Sequence, residues 1–191
     1  MGGGATEVVG PPVVTNHALS ASGLIDIASI MSGRSEAGKV GWSEEMSATG
    51  PAGKGMDTVS VVVKITLDMP TWDPPSSMLP LARAEWERWL GALQAHEQGH
   101  IELVHQVHDG IAAKIIGKSK PAADTLWANA QASLTTKSAA YDTRTGHGLK
   151  TGTVLNVKIE TDELADEEKK EAAADKAATP NSATAGDVTE E

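Results

Sequence analysis

The 191-residue chain has no cysteine and no phenylalanine, and it has a single tyrosine. Without cysteine there is no disulfide, no thiolate metal site and no cysteine nucleophile, and nothing is implied about redox compartment. With so few aromatics the core must come from Val, Ile, Leu, Met and five Trp. That is enough for one domain of about 110–150 residues. No apolar run reaches the roughly 18 residues of a membrane span, so none is expected. The net charge is −10 with no basic patch, which argues against nucleic acid as a partner, since phosphate binding needs clustered Lys and Arg. The opening MGGGATEVVGPP lacks the basic and apolar regions of an ordinary signal peptide, so none is expected.

The charge is unevenly placed. From Glu160 to Glu191 eleven acidic residues face three basic ones, a net of −8. Together with the lack of apolar residues there, this predicts an acidic, disordered tail over 159–191, available to a partner. Residues 1–12 are rich in Gly and Pro and read as a flexible N-terminus, which leaves 13–158 as the folded domain.

Within that domain, VVTNHALSAS (13–22) opens with β-branched residues and predicts an edge strand. LIDIASIMSG (24–33) has helical spacing, with Ser22 as a candidate cap and Gly33 as a stop. Val59, Val61, Val63, Ile65 and Leu67 alternate with more polar neighbours, the clearest strand in the chain. The preceding GKVGWSEEMS, joined to it through ATGPAGKG, predicts an antiparallel hairpin. PTWDPPSSMLP is a proline-rich spacer. From about Leu81 apolar residues recur at three- and four-residue steps as far as Gly117, as one helix or as two bent near Gly99 or Gly110. Residues 122–140 predict a second helix, YDTRTGHGLKTG a Gly- and Thr-rich segment, and TVLNVKIE a last short strand. Trp72, Trp86, Trp89 and Trp127 read as core residues. The fold expected is α+β: a small antiparallel sheet packed on a long helix and a second helix.

Chemistry concentrates in HEQGH, residues 96–100. His96 and His100 stand one turn apart on the same helix face, the spacing at which two imidazoles share one metal, and Glu97 lies beside that position as a candidate general base. A catalytic zinc needs a third protein ligand and an open position. His105 points about 140° away from His100, and His108 lies about 12 Å further along the axis. Leu103 and Gln106 stand where one metalloprotease pattern requires Gly and His, and Glu102 faces elsewhere. The third ligand is therefore expected from outside the helix. His147, between Gly146 and Gly148, is the best candidate and His17 a weaker one. Asp142 reads equally as a partner orienting a metal-bound histidine or as a turn residue.

These pieces, LDMPTW (67–72), WERWLGALQAHEQGH (86–100) and YDTRTGHG (141–148), in this order, resemble the bacterial family of predicted secreted zinc-dependent proteases, a domain of unknown function. The resemblance covers about residues 13–155. It implies a zincin-like fold, Zn2+ held by His96, His100 and His147, Glu97 as catalytic acid and base, and Tyr141 near the site as an oxyanion stabiliser. It also implies a secreted or periplasmic location. The function expected is a zinc-dependent peptidase acting on a protein or peptide. The alternatives are a non-catalytic metal-binding or interaction module and a zinc amidase of cell-wall peptides.

Overall fold

The computed structural model describes residues 4–178. Its elements run β1 (Ala5–Val9), β2 (Val13–Ala18), α1 (Leu24–Ser32), β3 (Lys39–Thr49), β4 (Thr58–Thr71), α2 (Pro80–His108), α3 (Ile111–Ile115), α4 (Lys120–Thr145), a single 3-10 turn (Leu149–Thr151) and α5 (Lys158–Ala178). The architecture is α+β. No helix among the described residues is long and apolar enough to cross a membrane.

The sheet is built around β4. Its odd-numbered side chains from Val59 to Met69 are buried, as the alternation predicts, and each removes about 1.5–3 kcal/mol worth of apolar surface from water. The predicted hairpin is present: β3 pairs antiparallel with β4 from Thr49↔Thr58 to Lys39↔Asp68. The sheet as a whole is mixed, not antiparallel as expected. On the other edge of β4 both β1 and β2 run parallel to it, in line, opposite residues 59–63 and 66–71. The geometry follows from chain order: α1 carries the chain across to β3, which returns, so β4 points the same way as β2. Gly10, Pro11 and Pro12 divide this edge row in two, because proline has no N–H for the ladder. The N-terminal stretch expected to be flexible is thus a sheet edge over 5–9; residues 1–3 lie outside the described residues.

The helical expectation over 81–117 resolves into two helices. α2 passes through Gly99 and stops at His108, and Gly110, at φ 81°, starts α3. The bend falls there because a positive φ is free of strain for glycine. Trp86 and Trp89 are buried, with ring centroids 5.1 Å apart, and Trp72 meets Trp86 edge-on at 5.4 Å. TVLNVKIE forms no strand: residues 153–157 have no ladder partner, and α5 begins at Lys158. The region read as a disordered tail is therefore helical as far as Ala178, and residues 179–191 lie outside the described residues.

Three carboxylates explain the reach of this fold. None of the N-cap residues Gly23, Leu79 and Gly110 offers a side-chain cap. Instead Glu160 accepts from the amides of Leu24 and Ile25 at 3.1 and 3.2 Å, and Glu163 from those of Leu81 and Ala82 at 2.9 Å each. Glu7 likewise accepts from Gly110 and Ala112 at 2.7 and 3.0 Å. Ser22, the expected cap of α1, donates to Asp26 instead. Each carboxylate meets the unpaired N–H groups and the positive end of a helix dipole.

Candidate metal centre

α2 places His96, Glu97 and His100 on its buried side, with relative exposures of 6%, 5% and 8%. α4 crosses beside it and contributes Ser138, Tyr141 and Asp142, which share a face at helical spacing. Asp142 Oδ1 lies 3.4 Å from His96 Nε2 and 3.0 Å from His100 Nε2. Both imidazoles therefore converge on one oxygen, and His96, His100 and Asp142 form a group that could hold a metal ion.

His100 is held at both nitrogens, since Ser138 Oγ lies 2.9 Å from its Nδ1. His96 Nδ1 is buried with no hydrogen-bond partner among the described residues. Burial depresses the pKa of His96, and the neighbouring His100 adds to this while Asp142 opposes it. Glu97 moves the other way: burial pushes its carboxyl up to about 7, with Glu36 and Asp142 adding and the Val40 amide opposing. Gly38 lets β3 come this close, since a Cβ there would lie 3.3 Å from Glu97 Oε1 and from Leu93 Cγ.

Tyr141 lies under the site. Its ring stacks on His96 at 5.1 Å and meets His100 edge-on at 4.9 Å. Its hydroxyl donates to the His96 carbonyl at 3.2 Å, and the residue does not line the cleft. Gly99 makes room for it: a Cβ at that position would stand 2.2 Å from the Tyr141 hydroxyl.

His147 sits one residue past the Gly146 C-cap of α4, at φ 53°. Its Nδ1 is 4.0 Å from the same Asp142 oxygen, but its side chain is 81% exposed, so it stands at the rim, outside the close group. The other histidines are elsewhere. His17 contacts Asp68 at 2.8 Å in the sheet, His105 contacts Asp109 at 3.3 Å on the surface, and the fully buried His108 donates from Nδ1 to the Val104 carbonyl at 2.9 Å.

The group opens into a cleft of about 410 Å³ between residues 38–40, at the entrance to β3, and the turn carrying His147, Leu149 and Thr153, with Leu93 and Glu97 on its floor. Sequence reading weighed Asp142 only as an orienting or turn residue and missed Ser138. Both are four residues apart on one helix face, a signal that becomes visible only once α4 is known to continue to Thr145.

No curated protein and no solved structure matches the chain. A family model does, over residues 29–148, from within α1 to the turn that carries His147. The span takes in α2, the Ser138–Asp142 face of α4 and the whole convergent group, and the chain belongs to the bacterial family of proteins of unknown function DUF922.

Proposed function

We propose that this protein is a zinc-dependent peptidase of zincin-like design, with His96, His100 and Asp142 as the metal ligands. The observation that carries the reading is a buried carboxyl, Glu97, directly beside two imidazoles that point at one oxygen, on the floor of an open cleft. Two nitrogens and a carboxylate oxygen are a donor set suited to zinc. The Ser138 hydroxyl fits as acceptor of the His100 Nδ1–H, which directs the Nε2 lone pair towards the ion.

When bound, zinc supplies Lewis acidity and lowers the pKa of water towards about 7. The remaining steps belong to the chain. Glu97, with a carboxyl that titrates near neutrality, accepts a proton from the attacking water and returns it to the leaving amine. Tyr141 acts as a positioning residue: its hydroxyl is engaged by the His96 carbonyl, and its ring sets the planes of both imidazoles. The Gly38–Val40 wall and the His147–Thr153 wall bound the space for a substrate chain.

A second reading has an observation in its favour. With His147 only 4.0 Å from the shared oxygen, four donors would close the tetrahedron and leave a structural metal site without catalysis. The two readings separate on one set of variants. We expect the purified protein to carry one zinc and to cleave an unfolded protein substrate, and Glu97→Gln to keep the zinc but lose about 10²–10⁴-fold in rate. His147→Ala should keep zinc if Asp142 is the third ligand, whereas Asp142→Ala should lose it. Full activity in Glu97→Gln, or zinc-loaded protein that cleaves no peptide bond, would overturn the peptidase reading.

A further inference from the structure

The first turns of α2 hold a segment of chain that has no ladder of its own. Glu85 is buried, 5% exposed, and Arg88 binds it in fork geometry, Nε to Oε2 and Nη2 to Oε1, both at 2.7 Å. The same guanidinium donates to the carbonyls of Gly152 at 2.8 Å and Val154 at 2.7 Å. Trp89 Nε1 donates to the Thr153 carbonyl at 2.9 Å, and Glu85 Oε1 also accepts from the Asn156 amide at 2.7 Å. Every backbone carbonyl from Gly152 to Val154 thus accepts a hydrogen bond from α2, about two turns before His96.

This segment is one wall of the cleft. Thr153 lines it and packs against the glycine that follows His147: a Cβ on Gly148 would lie 2.6 Å from Thr153 Oγ1. Gly152 is also close-fitting, though less so, its Cβ position 3.3 Å from Arg88 Nη1. Thr153 thus packs on the turn that carries His147, and the His147 N–H donates to the Asp142 carbonyl at 2.8 Å, which ties that turn to the end of α4.

We propose that Glu85 and Arg88 form a positioning pair for the metal centre, fixing the 148–156 wall and through it the seat of Asp142 and His147 opposite His96 and His100. The proposal rests on the metal reading above. An ordinary i,i+3 ion pair on a helix surface contributes little. This one differs because its carboxylate is buried, so loss of the arginine leaves a charge with the Asn156 amide as its remaining partner among the described residues, and because one planar fork serves a carboxylate and two carbonyls at once. Lysine, a single point donor, cannot reproduce that arrangement.

The test compares the full chain with Arg88→Lys, Arg88→Ala and, as a control destabilised elsewhere, Glu7→Gln, which weakens the cap of α3. Amide hydrogen exchange is read by mass spectrometry, and zinc affinity by competition with a chromophoric chelator. We expect both Arg88 variants to exchange about tenfold faster over 148–156 with β4 unchanged, and to bind zinc about tenfold more weakly. The control should match the parent in both. Unchanged exchange over 148–156, or faster exchange with unaltered zinc affinity, overturns the proposal, and Arg88→Lys decides it if Arg88→Ala does not fold. A parent that takes up no zinc sinks the metal reading instead, and the exchange measurement alone then decides whether the pair holds the wall.

Discussion

Gly99 shows how much one absent methyl group can decide. The position lies between the two histidines of the motif, where the general pattern leaves the residue free, yet here the Tyr141 hydroxyl and Cζ would lie 2.2 and 2.4 Å from any Cβ. Gly99→Ala must push the ring away from α2, and the ring touches both imidazoles. We expect that variant to lose about 1–3 kcal/mol of stability and about tenfold in zinc affinity, read by thermal melting and chelator competition. An alanine variant that binds like the parent would show that Tyr141 does not set the ligand planes. At this scale the sequence was legible for His96, Glu97 and His100, because helical spacing alone puts them on one face. For Tyr141 the family resemblance indicated a place near the site, but not its contacts, since its hydroxyl faces a backbone carbonyl. The sequence was not legible for Asp142, whose approach depends on how α4 crosses α2.

Helices α1, α2 and α3 take their cap acceptors from distant carboxylates and not from their own N-cap side chains. Capping usually comes from a Ser, Thr, Asp or Asn at the helix entrance, and reading the sequence for such residues pointed to Ser22. The acceptors in fact come from up to 136 positions away, as with Glu160 and Leu24. This is why the boundaries of α1 and α2 could be read from periodicity while the role of the acidic tail could not: its carboxylates look solvated until the ends of two helices are placed beside them. Glu163→Ala should lower stability by about 0.5–2 kcal/mol, measured by chemical denaturation. Glu167→Ala, four residues on, should have little effect, since among the described residues Glu167 pairs with exposed Lys170. Equal effects of the two substitutions would mean that the cap on α2 contributes nothing. The parallel strands were unreadable for a related reason, since direction depends on the route of the whole chain and not on the alternation within any strand.

The matched family region, residues 29–148, and the physical unit do not coincide. The region omits β1 and β2, which cover one full edge of β4, together with Glu7, Glu160 and Glu163 and the wall held by Arg88. A fragment of residues 29–148 should therefore show no cooperative thermal transition by circular dichroism, while residues 4–178 melt in a single step. A fragment melting within a few degrees of the longer chain would contradict the extended unit described above. The chain's poverty in aromatics has one more consequence. Its only tyrosine is the ring wedged against both motif imidazoles, so isotope-labelled tyrosine supplies a solitary NMR spin system at the centre. Cation entry and ligand exchange there can be followed without assigning any other residue.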